Sequence, residues 1–282
     1  MTASFGQRAQ AGIARLGPLC VGIDPHPALL DEWGLPQNAA GAREFGKRVV
    51  AASAGRAGFV KPQVSFFERF GSTGYAALED VLADARAAGI LVIADAKRGD
   101  IGSTMEAYAA AWLTPGSPLE ADALTVSPYL GVGAVAGAID LAYDYGKGVF
   151  VLAATSNAEA EGLQRSIDAD GRSVSRRVID EVSDLNVARG AAGEWASAGF
   201  VVGATVDWEA SGIRPFAPIA PILAPGFGHQ GANPRNAREI FGEMTPAVIM
   251  SESRSILTAG SDRIEYVIEE HARSAREHDR HE

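Results

Sequence analysis

LVIADAKRGDIGST, residues 91–104, opens on an apolar, β-branched run and closes on alternating charges, Asp95, Lys97 and Asp100. An unbroken apolar run of this length reads as a strand, Leu91 to Lys97, of a parallel sheet, because such a sheet is covered on both faces. Side chains two apart on a strand share a direction, so Asp95 and Lys97 project together from its C-terminal end, with Asp100 one short turn away. An ordinary surface ion pair would also bring opposite charges to this spacing. The apolar lead-in argues instead for three charges sharing one site at the mouth of a sheet.

Seven further runs of the same kind flank this one: Leu19 to Asp24, Phe59 to Gln63, Ala123 to Ser127, Val149 to Ser156, Phe200 to Val206, Pro221 to Gly226 and Ala247 to Ser251. Alanine-rich or amphipathic stretches of helical length separate them, the alternation expected of parallel βα units. Eight such units predict a closed (β/α)8 TIM barrel, and 282 residues suit one barrel domain over 1–282. With 47% hydrophobic and 21% charged residues, the chain is not of the depleted, highly charged kind that stays disordered.

Polar residues gather at the C-terminal ends of the runs: Asp24, Lys61, Asp95 with Lys97, Ser127, Ser156, Gly226 onward, and Arg254. In a β/α barrel, catalytic groups sit at that end. The segment APGFGHQGAN carries Gly226, Gly228 and Gly231, whose turn exposes backbone N–H groups to an anion, and Arg254 adds a charged fork. These barrels frequently bind phosphate between the loops after strands seven and eight, so a phosphorylated substrate is expected. Taken singly, Asp24 and Ser156 could cap helices, Lys61 could lie along the surface, and the glycines could form a mere turn. Their joint placement at strand ends favours function.

A net charge of -10 and a pI near 5.1 oppose nucleic acid or an anionic membrane as partner, while a local basic cluster still allows a small anionic substrate. The single cysteine, Cys20, excludes an intrachain disulfide framework and fits a reducing compartment; its apolar surroundings make it a buried structural thiol. The opening MTASFGQRAQ lacks the apolar stretch of a secretory signal, and no apolar run approaches the roughly 20 residues that span a bilayer. A cytoplasmic protein is expected.

The segment DAKRGDIGST resembles the D-x-K-x-x-D-I-x-x-T signature of the orotidine 5'-monophosphate decarboxylases. Lys61, in FVKPQVSFFE, falls where that family carries the other lysine of its Lys-Asp-Lys-Asp array. Asp24, in VGIDPHP, matches an aspartate that binds a ribose hydroxyl, and Ser156, in AATSNAE, a serine that reads the pyrimidine amide. APGFGHQGAN resembles the P-G-x-G-x-Q-G loop, whose glutamine, here Gln230, bridges phosphate and base. SESRSI resembles the last-strand segment with the phosphate arginine, here Arg254. QVSFFERFG and TVSPYLG are similar to the longer bacterial branch.

The resemblance implies a TIM barrel that decarboxylates orotidine 5'-monophosphate to uridine 5'-monophosphate, the last step of de novo pyrimidine nucleotide synthesis. Lys97 would protonate C6 within a Lys61, Asp95, Lys97, Asp100 array, with no cofactor and no metal. It also implies a homodimer in which Asp100, Ile101 and Thr104 complete the neighbouring barrel. Two other readings stay open. Sugar-phosphate barrels such as hexulose-phosphate synthase share D-x-K-x-x-D but use magnesium; Ile101 to Thr104, Ser156 and Gln230 favour the nucleotide. A nucleotide-binding barrel without turnover is opposed by the intact array, since three charges buried without chemical use would be costly. Two stretches are left outside the motifs: 157–177 is expected as an extended βα loop before a helix ending near Ala198, and the charged residues 269–282 as a solvated helix that frays.

Overall fold

The apolar runs form eight parallel strands that close into a barrel in the order β1 to β8, in a computed structural model that describes residues 3–190 and 193–277. In chain order the elements are α1 (Phe5–Leu16), β1 (Leu19–Ile23), α2 (Pro27–Glu32), α3 (Ala39–Ser53), β2 (Phe59–Pro62), α4 (Ser65–Glu68), α5 (Gly71–Ala87), β3 (Leu91–Arg98), α6 (Gly102–Leu113) and β4 (Ala123–Val126). There follow α7 (Val132–Asp144), β5 (Gly148–Ala154), α8 (Glu161–Gln164), α9 (Val174–Arg189), β6 (Ala198–Val202), β7 (Ile222–Pro225), α10 (Ala237–Phe241), β8 (Val248–Glu252), α11 (Arg254–Leu257) and α12 (Ile264–Arg276). Closure comes from β8 pairing with β1, Met250 opposite Leu19.

Alternation along the strands decides what fills the barrel. Each strand sends one residue to a common interior cluster: Cys20, Phe59, Ile93, Ala123, Phe150, Val201, Leu223 and Ile249. All are buried, and burial pushes the Cys20 thiol up to about 12, as befits a packing residue. Below them α1 closes the N-terminal end. Ser4 caps it in a reciprocal pair with Gln7, and Phe5 packs edge-on against Phe150 with ring centroids 5.8 Å apart. Gly148 is required there, because a Cβ on it would lie 2.2 Å from the Phe5 ring.

Two expectations are corrected. The stretch 157–177 is not one open loop: it holds a 3-10 turn at Ala158–Ala160 and the short α8, and α9 already begins at Val174, because Ser173 caps it by accepting from the Arg176 N–H. That helix stops at Arg189, where Gly190 leaves helical geometry, and Ala198 opens β6 instead. The charged C-terminal helix is not simply solvated. Ile264, Ile268, Ala272 and Ala275 bury one face of α12 against the barrel layer, and residues 278–282 lie outside the described residues. Among the described residues no helix is long and apolar enough to cross a membrane.

Candidate active site

Two steps along each strand from the interior cluster lead to the C-terminal mouth. By this alternation Phe59 leads to Lys61, Ile93 to Asp95 and Ala123 to Thr125, so all three side chains converge inside the barrel. Asp95 is the hub. Its Oδ2 accepts from Lys61 Nζ at 2.7 Å, and its Oδ1 accepts from Lys97 Nζ and from Thr125 Oγ1 at 3.2 Å. Lys61 and Asp95 are 7% and 8% exposed, so this ion pair is shielded from water, whereas the Lys97 side chain is 44% exposed and reaches into the open cleft.

Burial alone would raise the Asp95 carboxyl, but the ammonium groups of Lys61 and Lys97 outweigh it and hold it down to about 2. Burial likewise pulls Lys61 down, and the charges of Asp95 and Asp24 reverse this and hold the ammonium above the usual lysine range. The carboxylate and the Lys61 ammonium are therefore both charged throughout the neutral range.

Lys97 stands beside Asp95 through a backbone distortion rather than by simple alternation. The β3–β4 register shifts between Ala94 and Arg98, and Lys97 has a φ of 47°, in the left-handed region that favours glycine. The Lys97 N–H donates to Thr125 Oγ1 at 2.9 Å, which anchors the strained residue. Strain of this kind is held only where the surroundings over-determine it, and it clusters at functional sites.

A cleft of about 450 Å³ opens over the array and is lined by Lys61, Asp95 and Lys97 from one side and by Leu152, Asn157 and Gln164 from another. Asp24, directly after β1, has its Oδ1 buried and without a hydrogen-bond partner, leaving an acceptor free for a ligand. Between Thr155 and Asn157 of the cleft lining, Ser156 Oγ donates to Gln230 Oε1 at 3.3 Å, so the segment after β5 and the glycine turn meet. Gly226, Gly228 and Gly231 all have positive φ, at 114°, 69° and 97°, and Arg254 is exposed at the start of α11, after β8.

Asp100 does not join the array within its own chain. Its carboxylate accepts from the Ile101 N–H at 2.9 Å, and Ile101 and Thr104 are exposed. The strand ends at Arg98, before Asp100, and among the described residues Lys97 pairs with Asp95 alone. Thr125, beside Asp95, and Thr155 and Gln164, in the cleft lining, were not singled out from the sequence. Thr125 could have been found by the alternation that marks Asp95, but Thr155 and Gln164 carry no such signal: Gln164 Oε1 accepts the Thr155 N–H at 2.8 Å, and its Nε2 donates to Thr155 Oγ1 at 2.9 Å.

Comparison with known proteins agrees with this architecture. The model of the orotidine 5'-phosphate decarboxylase / HUMPS family matches residues 17–265. The orotidine 5'-phosphate decarboxylase of Salinispora tropica is 52% identical over 259 residues, covering 92% of this chain and 91% of that protein. That of Corynebacterium efficiens is 48% identical over 264 residues, or 93% and 92%. A crystal structure from Streptomyces avermitilis superposes with a TM-score of 0.91 at 42% identity, covering 99% of this chain and 97% of that one. The structure of Leishmania donovani OMP decarboxylase does so with a TM-score of 0.76 at 30% identity, covering 97% of each. Matched from before β1 to within α12, the chain belongs to the orotidine 5'-phosphate decarboxylase / HUMPS family.

Proposed function

We propose that the chain decarboxylates orotidine 5'-monophosphate to uridine 5'-monophosphate and carbon dioxide, the last step of de novo pyrimidine nucleotide synthesis. The observation that carries this reading is the buried Asp95 carboxylate held between the Lys61 and Lys97 ammonium groups under an open cleft. Cleavage of the bond between C6 and the carboxylate releases carbon dioxide and leaves an electron pair on C6. The Lys97 ammonium stands where that negative charge develops and gives its proton to C6; the amine then regains a proton from water. A cation fixed before the reaction needs no reorganisation in the transition state. The reading assigns no step to a cofactor or a metal ion.

The other residues bind and orient. Lys61 holds Asp95 in place and, with Asp24, the ribose hydroxyls; the unpartnered Asp24 Oδ1 supports this. Ser156 reads the pyrimidine amide and Gln230 bridges base and phosphate, a reading supported by their mutual contact. The backbone at Gly226, Gly228 and Gly231, with Arg254, binds the phosphate. Phosphate binding, remote from C6, supplies energy that closes the turn around Gln230 and orders the site.

The active unit is a homodimer in which Asp100, Ile101 and Thr104 reach the partner's cleft. Ile101, Tyr129 and Leu130 are 63%, 77% and 54% exposed on neighbouring loops that the Ser127 N–H joins to Arg98. Apolar surface of this kind suits a subunit contact. The test of the activity is the absorbance of orotidine 5'-monophosphate in excess EDTA, run in heavy water. The expected product is uridine 5'-monophosphate with deuterium at C6. Absence of turnover, with activity on a hexulose phosphate appearing only when magnesium is restored, would make the chain a sugar-phosphate enzyme instead.

A further inference from the structure

Glu252, the last residue of β8, is buried and faces away from the barrel interior, toward the helices. Its Oε2 accepts from Ser255 Oγ at 2.9 Å and lies 2.9 Å from His271 Nδ1 of α12, while its Oε1 is buried without a partner. The carboxylate lies against the glycine turn: a Cβ on Gly228 would come within 2.5 Å of Oε2 and 2.6 Å of Ser255 Oγ. Arg254 follows two residues later. A carboxylate at this position would repel any dianion held by the turn unless a cation compensates it, because Coulomb forces at such range are only partly screened near a protein surface.

We propose that His271 is a positioning residue for the substrate phosphate: as an imidazolium it cancels the buried charge of Glu252 directly beneath the phosphate-binding turn and holds that turn's floor in place. The inference rests on the reading of Gly226 to Gly231 and Arg254 as the phosphate site. It also gives α12 a task, since Glu277, which follows the same helix as its cap, pairs at 3.0 Å with Arg235 of the segment after the turn.

Glu252 and Glu270 are the charges that act on the ring, and the charged residues of α3, which packs against α12, are paired elsewhere: Arg43 with Asp80, Lys47 with Asp84 and Arg48 with Glu44. Glu270 on its own helix adds to the effect of Glu252; Arg56, beyond α3, is paired with Glu265; Arg235 is paired with Glu277; Arg254 lies on α11, and His229 on the turn itself. The strand β1, which also packs on α12, carries no charged residue. The hydrogen bond to Glu252 raises the imidazole above its usual value, against the effect of burial. The cation is thus present below that raised value and lost above it, and affinity for the phosphorylated substrate falls as pH rises.

The test compares kcat/KM for orotidine 5'-monophosphate with that for orotidine, which lacks the phosphate, from about pH 6 to about pH 9. At the acid end, His271→Gln should lower the value for the nucleotide about tenfold and leave that for orotidine unchanged. It should also remove the histidine-dependent fall with pH, and Glu252→Gln in the same chain should restore the nucleotide value by removing the uncompensated charge. An equal loss on both substrates that the second substitution does not repair, or an unaltered pH profile, overturns the proposal. Arg254→Ala separates the two levels. If it fails to discriminate between the substrates, the phosphate site itself is misassigned; if it discriminates and His271→Gln does not, only the role of His271 falls.

Discussion

At the scale of single residues, one carboxylate organises the site. Asp95 accepts from two ammonium groups and a hydroxyl, and each of these partners comes from a position that alternation along β2, β3 or β4 sends inward, or from the bulge that turns Lys97 back. Lys61→Ala leaves Asp95 with Lys97 and Thr125 only. Turnover of the nucleotide should fall by a factor of about 100 or more although Lys61 donates no proton, because a preorganised charge array has lost a member. The same variant has a signature in acid. A carboxyl lowered to about 2 stabilises the fold above its ordinary range and loses that contribution as pH falls through about 2. Without Lys61 burial is less opposed, the carboxyl titrates higher, and acid unfolding followed by circular dichroism should begin at higher pH. Lys61, Asp95 and Lys97 were legible in the sequence because charges interrupt apolar runs. Thr125 was not, since threonine is an ordinary strand residue and only the barrel register brings its hydroxyl to Asp95. Glu252 and His271 were hidden for the same reason, nineteen residues apart with no motif to join them.

At the scale of elements, the floor of the barrel and its mouth are separate parts. Phe5 fills the floor from α1 against Phe150, far along each strand from Lys97. Phe5→Ala should cost about 3–5 kcal/mol in chemical denaturation, the range for emptying a buried aromatic site, with kcat/KM little altered in the folded fraction. A comparable fall in activity would mean that the floor and the mouth are coupled. All eight strands were legible, because parallel strands covered on both faces need continuous apolar sequence. Helix limits were less so. The start of α9 is decided by the Ser173 cap inside a polar stretch that reads as loop, and the buried face of α12, Ile264, Ile268, Ala272 and Ala275, is diluted by the charges between them.

At the scale of the whole molecule, the proposed sharing of Asp100 between two copies is the claim to test. Asp100 makes no ion pair with Lys97 of its own chain and lies beside the exposed Ile101. If two copies complete each other, chains carrying Lys97→Ala and chains carrying Asp100→Ala, each inactive alone, should recover about a quarter of wild-type activity when mixed and allowed to exchange, because half of the dimers are mixed and each has one intact site. Sites formed within one chain would recover nothing. On the proposed dimer, Ile101→Asp should in turn shift the protein to monomers in sedimentation at micromolar concentration and cost activity about 100-fold, the order expected for loss of an apolar anchor of a contact. Neither the proposed crossing nor the proposed dimer is readable from spacing, which gives distances along the chain and none between chains.

The most direct test of the account is turnover of orotidine 5'-monophosphate by the purified protein in excess EDTA, beside Lys97→Ala under the same conditions. The account predicts metal-independent turnover that the substitution abolishes while uridine 5'-monophosphate still binds. Undiminished decarboxylation by the Lys97→Ala protein would contradict it, because Lys61, the other ammonium group that lines the cleft among the described residues, is buried in its pair with Asp95.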